Sequence, residues 1–255
     1  MRTNALPALA TMAFIMVVAF GWRFAAAWWY DDFGNLALAR SDAAVARERF
    51  DAGLRYVPGS ALLLEDRGRA ELDSDPAAAL RDFQEAACGA PCEAEMGDAQ
   101  ARLGNAGAAV ADYLDAKAAR RLAALVDRIA SQGKYDQAIA LETALTRRLG
   151  NSILLRADLG AAEFKIGTLS EAAAYADSRR AAAYRPAAIA AYTRASELAP
   201  YNEGYLLSLA FAHMKWGDTR VARAAFHRIL ALHPHQADAE AALARLQEST
   251  SSPGH

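Results

Sequence analysis

The sequence predicts an all-α fold: an α-solenoid of about six to seven stacked helical hairpins with a C-terminal capping helix, preceded by one transmembrane helix. The chain is 54% hydrophobic, rich in alanine and poor in β-branched residues, a balance that favours helix and predicts no sheet. A motif of small residues recurs at the spacing expected of helical hairpins. An uncharged apolar run occupies residues 5–22.

The apolar run at residues 5–22 predicts a membrane anchor within residues 1–30. At about 1.5 Å per residue, a helix of this length reaches roughly 27 Å, close to the hydrocarbon thickness of a bilayer. Arg23 follows the run, and its long side chain can extend to the lipid headgroups. The residues after it are typical of an interfacial aromatic belt. That belt consists of Trp22, Trp28, Trp29 and Tyr30.

Two alternatives compete with an anchor. One is a signal peptide cleaved after the small residues Ala25 and Ala27, although Arg23 and the bulky Trp28 disfavour cleavage there. The other is a buried core helix, which the length of the run beside the amino terminus disfavours.

Charges flanking the run lean slightly towards a cytoplasmic amino terminus, because Arg2 and the terminal amine precede it, while Arg23 follows it together with Asp31 and Asp32. We therefore expect a single-pass membrane protein whose repeats face the periplasm or the cell exterior.

The recurring motif is clearest where Gly217 is followed by Ala222, Phe226 and Pro234. The glycine is expected to turn the chain between two antiparallel helices, the alanine to let them approach, and the proline to end the second helix. One hairpin cannot bury both of its faces, so such hairpins stack. Earlier copies of the glycine and alanine pair are Gly133 with Ala138 and Gly167 with Ala172.

These offsets resemble the tetratricopeptide repeat, which implies an array of helical hairpins that serves as a non-catalytic binding scaffold. The best copy covers residues 203–234, and the resemblance extends over roughly residues 30–234. The chain departs from the family in lacking its usual first-helix tryptophan, and the copies around Ala138 and Ala172 lack the second-helix aromatic. We expect the repeats to fill residues 31–234.

The register is irregular in two places. Ala109 and Ala138 are only 29 residues apart, so two helices there are either fused or joined by a tight polar turn near Arg120. Farther along, Gly167 is expected to turn the chain and Ser170 to cap the next helix. An extra helix is then expected to end before Pro186, which would start another.

Cys88 and Cys92 bracket a Gly-Ala-Pro loop at the predicted junction between two hairpins. They are expected either to form a disulfide or to pack as reduced thiols. Two thiols without a nearby histidine cannot complete the four ligands of a structural zinc, so we predict no metal site. We also predict no cofactor.

The C-terminal region, residues 235–255, is predicted to hold an amphipathic capping helix over residues 237–247 and a disordered tail over residues 249–255. The chain carries no G-x-S-x-G, no phosphate-binding glycine loop and no H-E-x-x-H, and its histidines fit structural positions, so we predict that it is not an enzyme. A net charge of −2 disfavours nucleic acid as a partner.

A partner-binding groove is predicted on the first helices of two hairpins. In the last hairpin, side chains at spacings of four and three form a second apolar face beside the packed one. The family's clamp for a peptide carboxylate needs Lys, Arg and Asn here, and the groove positions after Ser152 have none. We expect a protein or peptide with an apolar segment to dock there, unless the capping helix covers the face. The predicted groove residues are Ala157, Ala161, Phe164, Leu207, Phe211 and Met214.

Two functions remain. The first is a membrane-anchored scaffold for protein–protein interaction in a bacterial-type envelope, for example in the assembly of an envelope complex. The alternative is a soluble periplasmic or secreted carrier or chaperone for an apolar ligand or an unfolded client.

Overall fold

The computed structural model describes residues 5–87, 89–150 and 153–251; within these ranges, residues 5–17, 19, 20, 90, 91 and 249–251 are described by their backbone alone. The described part of the chain is helical and contains no strand, which confirms the predicted all-α class. Its α-helices are α1 Ala5–Ala39, α2 Ala43–Tyr56, α3 Ala61–Glu71, α4 Pro76–Ala86, α5 Ala90–Arg102, α6 Ala106–Asp115, α7 Ala119–Ser131, α8 Tyr135–Leu149, α9 Arg156–Ala176, α10 Ala181–Leu198, α11 Glu203–Lys215, α12 Thr219–Leu232 and α13 Ala237–Ser251.

Consecutive helices pair through turns of three or four residues into six hairpins, from α1–α2 to α11–α12, and α13 follows as a cap. Gly133 and Gly217 lie in two of these turns, as the repeat motif predicts, with φ values of 74° and 92°. Glycine is favoured at both positions because it adopts such angles without strain. The chain divides into two compact units, one ending at Arg121 and the other beginning at Leu122.

A glycine opposite an aromatic ring recurs inside the hairpins. A Cβ added to Gly34 would lie 2.3 Å from the ring of Phe50, and one added to Gly68 would lie 2.7 Å from the ring of Phe83. The ring of the second helix therefore rests directly on the backbone of the first helix, which brings the two axes close together. The same arrangement pairs Gly97 with Tyr113 and Gly167 with Tyr192.

The α7–α8 hairpin breaks this rule. Glu142 lies four residues after Ala138, the offset that places an aromatic ring in other hairpins, and it is 7% exposed. Val126, which lies sixteen residues before Glu142 as Gly97 lies before Tyr113, is buried as well. Burial raises the pKa of Glu142 to about 7, because a carboxylate loses its hydration inside the protein.

The α9–α10 hairpin corrects three predictions. Gly167 and Ser170 lie inside α9, which is 21 residues long, so neither turns the chain nor caps a helix there. No separate helix lies between Glu171 and Tyr184, because α9 continues to Ala176 and α10 begins at Ala181. The small residue at position 167 serves the packing of Tyr192 instead of a turn.

Pro186 lies inside α10 and does not start a helix. Proline removes only one backbone bond near the start of a helix, and the residues before it are held by packing. Ala181 and Tyr184 are buried in a cluster with Ala173 and Ala174 of α9. Tertiary packing therefore keeps the helix continuous past the proline.

Two boundaries differ from the sequence interpretation in smaller ways. Helices α6 and α7 are separate, and the turn between them contains Lys117 with a φ of 54°, close to the tight turn considered near Arg120. The capping helix is confirmed but extends to Ser251, so residues 249–251 are helical. Its buried face includes Leu243 and Leu246. Residues 252–255 lie outside the described residues.

Helix α1 continues past residue 30 into the first hairpin. Ala27 and Ala37 are buried against α2, and the rings of Tyr30 and Tyr56 stack at 5.8 Å. Among the described residues, no helix is both long and apolar enough to cross a membrane. Most side chains of the predicted anchor at residues 5–22 lie outside the described part, so the anchor stays a prediction.

Candidate partner-binding faces

The predicted groove residues of α11 lie at the edge of a core cluster. Leu207, Phe211 and Met214 are half-buried and pack against a cluster that includes residues of α12 and α13. The ring of Phe211 meets that of Phe226 edge to face at 5.1 Å. The cap therefore shares this cluster without burying the three side chains fully.

The predicted groove residues of α9 are more accessible. Ala157 and Ala161 are exposed, and Phe164 is half-buried. The ring of Phe164 stacks on Tyr205 of α11 with 4.7 Å between centroids. A direct contact therefore links the first helices of two successive hairpins.

A second contact between α9 and α11 lies about two helical turns beyond the first along α9. The ammonium group of Lys215 binds the carboxylate of Glu171 and lies 5.9 Å from the ring centre of Tyr175. Tyr175 is 63% exposed. We call the six predicted residues, together with Tyr205 and Tyr175, the α9–α11 face; on α11, Leu207, Phe211 and Met214 are the members that pack towards α12 and α13.

Tyr205 and Tyr175 were not predicted as members of this face. Tyr205 belongs to the first turn of α11, before the apolar spacing that identified Leu207 becomes visible. Interpreting Gly167 as a turn assigns Tyr175 to a separate helix and not to the first helix of this hairpin. Aromatic residues on the first helix of a hairpin were the signal that could have identified both.

Two cavities of about 430 Å³ each lie elsewhere in the unit that begins at Leu122. The first surrounds Asp136, which accepts hydrogen bonds from Arg180 at 2.6 and 3.1 Å and from the Tyr184 hydroxyl at 2.6 Å. These donors lower the pKa of Asp136. Neither cavity is lined by a predicted groove residue.

The second cavity carries arginines that already have structural partners. Arg156 donates to the backbone carbonyls of Leu198 and Glu197 at the end of α10, at 2.7 and 2.8 Å. Arg194 lies 2.9 Å from a carboxylate oxygen of the buried Glu163. Arg156 therefore caps a helix end and Arg194 pairs with a buried charge, while Arg147 also lines this cavity.

One group of possible metal ligands is present in the described residues. Atoms of Glu65, Cys92 and Glu95 lie within 4.8 Å of one another, but both carboxylates form ion pairs with Arg69. The guanidinium supplies the positive charge that a metal would bring. Cys88 lies outside the described residues, so its predicted disulfide with Cys92 stays a prediction.

No family model and no curated protein matches the chain. Solved structures resemble it at low identity. A chain of the APC/C hetero-tetramer Cut9–Hcn1 is 16% identical with a TM-score of 0.41; the match covers 85% of this chain and 42% of that one. The TPR2AB domain of yeast Sti1, in a pHSP90 complex, is 13% identical with a TM-score of 0.37, covering 89% and 99%.

A third resemblance is to TTC0263 from Thermus thermophilus, described as a thermophilic TPR protein. It is 16% identical with a TM-score of 0.35, and the match covers 87% of this chain and 99% of that one. All three TM-scores are low, so these resemblances carry no functional argument.

Proposed function

We propose that the chain is a non-catalytic scaffold for protein–protein interaction, held at a bacterial-type envelope membrane by residues 1–30. The observation that carries the binding role is the α9–α11 face. There, half-buried Phe164, Leu207, Phe211 and Met214 lie on two neighbouring first helices. Stacked helical hairpins leave this kind of surface free for a partner.

The chemistry of the α9–α11 face favours an apolar segment as its ligand. Its aromatic and aliphatic side chains remain partly exposed, while its charged neighbours Glu171 and Lys215 neutralise each other. Exposed apolar surface rimmed by polar groups is typical of an interaction site. An amphipathic helix can place its apolar side here, as in other helix-in-groove complexes.

The proposed membrane attachment is supported by the exposed side of α1. Beyond the apolar run at residues 5–22, Trp28 is 73% exposed and Trp29 is 53% exposed. Tryptophan is enriched where a helix leaves the hydrocarbon region. Attachment of the repeats at the outer side of that membrane, and a part in assembling an envelope complex, belong to the same proposal.

The binding role is tested with the detergent-solubilised full-length protein and a displayed library of amphipathic peptides. Because Ala161 is exposed, Ala161→Glu should abolish capture of selected peptides while leaving the melting temperature nearly unchanged. Val221→Glu is the matched control, since Val221 is 43% exposed but lies on the second helix α12. Equal loss of capture in both variants would contradict the proposed face.

Phe211→Glu separates binding from packing. If the ring mainly contacts a partner, capture is lost and the cooperative unfolding transition is retained. If the variant fails to fold, Phe211 belongs to the core shared with α13, and the face is reduced to α9 and the start of α11. A mature protein that begins after Ala27 would instead favour the soluble carrier.

A further inference from the structure

Three consecutive aliphatic side chains are exposed between α8 and α9. They form a short 3₁₀ helix, Ile153–Leu155, immediately before α9. Leu154 is 93% exposed and Ile153 is 85% exposed, the two largest values for any large apolar side chain in the described part of the chain. Single exposed aliphatic residues are ordinary on protein surfaces, but side chains this exposed contribute almost no packing to the fold. We call Ile153–Leu155 the aliphatic tip.

An exposed tyrosine lies at the next junction between hairpins. Arg156, the first residue of α9, donates to the backbone carbonyls of Glu197 and Leu198 at the end of α10, so the two junctions are held together. Tyr201 follows in the connection between α10 and α11 and is 75% exposed. At the opposite end of α9 and α10, the turn at residues 177–180 is Asp-Ser-Arg-Arg and therefore polar throughout. The apolar surface is confined to the junction end.

Arginines lie beside the aliphatic tip. The cavity of about 430 Å³ near the start of α9 is lined by Arg147, Arg156 and Arg194. Arg156 donates to neutral carbonyls, so these bonds leave its positive charge uncompensated. Arg147 is exposed and pairs with no carboxylate in the described part of the chain. Because Glu163 and Glu197 are the two acids that line the cavity, three arginines leave it with a net positive charge.

This combination matches the surface of an anionic bilayer. Aliphatic side chains on a protruding turn can enter the boundary of the hydrocarbon region while neighbouring cations stay among the lipid headgroups. A guanidinium group binds phosphate through two parallel hydrogen bonds, and tyrosine is enriched at the same depth. Arg148 and Asp158, both exposed beside the tip, add one charge of each sign and leave the net charge positive. The convex tip offers no groove for a helix of a partner protein.

We propose that the aliphatic tip inserts into the interface of a bilayer that contains anionic phospholipids, with Arg147 and Arg156 at the level of their phosphate groups. The tip shares no residue with the anchor proposed for residues 1–30. It therefore adds a second membrane contact to the attachment already proposed, and the two contacts can be tested separately.

The test measures hydrogen exchange over residues 153–156 in the full-length protein, reconstituted into phosphatidylcholine nanodiscs with and without phosphatidylglycerol. The anchor holds the protein at both kinds of disc, so exchange at the tip reports the second contact alone. A tip inserted about nine-tenths of the time should exchange roughly tenfold more slowly, because exchange then proceeds only from the free fraction. The protection should require phosphatidylglycerol and should fall at about 0.5 M salt, where exposed charges are screened.

Matched variants separate the apolar and the cationic parts of the tip. Leu154→Glu should abolish the protection, whereas Val221→Glu should retain it, because Val221 is exposed on α12. Arg147→Gln should reduce the protection, whereas Arg179→Gln removes the same charge from the polar turn at residues 177–180 and should leave it unchanged. Thermal melting checks that each variant folds.

Several results would overturn the proposal. Unchanged exchange in both kinds of disc would show that the tip does not enter a membrane, and equal protection in both would show that anionic lipid is not selected. Protection in detergent that grows with protein concentration would show that a second copy of the chain covers the tip. Failure of the protein to co-elute with phosphatidylcholine discs would contradict the anchor alone, so failure of one proposal is distinguishable from failure of the other.

Discussion

Single residues decide how closely the helices of each hairpin approach, and Gly167 shows this most directly. A Cβ at this position would lie 2.5 Å from the ring of Tyr192. We expect Gly167→Ala to lower the free energy of unfolding by about 1–3 kcal/mol, because overpacking outweighs the better helix propensity of alanine. Urea unfolding measures the change.

The control for that substitution is Gly107→Ala in α6, where an added Cβ meets nothing within 4 Å. Helix propensity acts alone there, so the variant should be unchanged or more stable by up to about 1 kcal/mol. Equal destabilisation of both variants would show that the ring of Tyr192 is not the cause.

Glu142 gives the fourth hairpin a pH dependence. Its pKa is about 7 in the folded protein, above the ordinary value of 4.5, so the folded state binds more protons than the unfolded state between these pH values. The contribution of Glu142 to stability is therefore fully present below pH 4.5 and is lost as the pH rises towards 7 and above. We expect Glu142→Gln to remove this pH-dependent decrease in the free energy of unfolding, which amounts to up to about 3 kcal/mol.

Unfolding of the wild type and the variant across pH 4–8 checks this expectation, and the exposed Glu240 provides the control substitution Glu240→Gln. A wild-type curve parallel to that of Glu142→Gln would mean that water reaches the carboxylate. The sequence predicted that this repeat copy lacks the aromatic residue of the second helix. It did not predict that Glu142 would be buried there, because the offset from Ala138 identifies the position but not the burial or the protonation state of its side chain.

At the scale of elements, the long α9–α10 hairpin is held by two kinds of contact at its tip. The ring of Tyr184 packs among Ala173, Ala174 and Ala181, while its hydroxyl donates to Asp136 at 2.6 Å. The apolar packing and the hydrogen bond contribute different amounts to the free energy of unfolding, so two variants distinguish them. We expect Tyr184→Phe to cost about 1 kcal/mol and Tyr184→Ala to cost about 3–5 kcal/mol.

Hydrogen exchange over residues 177–187 measures this difference at the tip itself. Both variants should leave exchange in α12 unchanged, because that helix shares no contact with Tyr184 among those that define its cluster. If Tyr184→Phe opens the tip as far as Tyr184→Ala does, the polar contact with Asp136 holds the hairpin and the apolar cluster is secondary.

The same hairpin shows where sequence reasoning reaches its limit. Gly217 and Gly167 carry the same local motif, yet Gly217 has a φ of 92° in a turn while Gly167 lies inside a helix. A glycine serves either a positive φ or a close approach, and the choice depends on a ring 25 residues away, at Tyr192. The class, the hairpin count and the cap followed from local spacing; the lengths of α9 and α10 did not.

The predicted partner face shows the same limit of prediction from local sequence spacing. The spacing of Leu207, Phe211 and Met214 placed them together on one side of α11, and they lie together at the edge of one cluster. Their partial burial depends on α13, and the contact of Phe164 with Tyr205 depends on how α9 and α11 stack. Periodicity within one helix contains neither piece of information.

At the scale of the whole molecule, the two units differ in the chemistry of their first helices. In the unit that ends at Arg121, ion pairs connect the helices: Arg69 of α3 pairs with Glu95 of α5, and Arg121 pairs with the buried Asp98 of α5. In the unit that begins at Leu122, Phe164 and Tyr205 connect them by stacking.

The topology of the chain provides the last prediction. Arg2 and the terminal amine precede the apolar run, and Arg23 follows it with Asp31 and Asp32, so the positive-inside count leans slightly towards a cytoplasmic amino terminus with the repeats outside. Protease added to intact spheroplasts should then digest the repeats, while a cytoplasmic marker protein stays whole. Complete protection of the repeats would reverse the proposed orientation. A mature amino terminus at Trp28, read by sequencing of the purified protein, would show that residues 1–27 act as a cleaved signal and that no anchor remains.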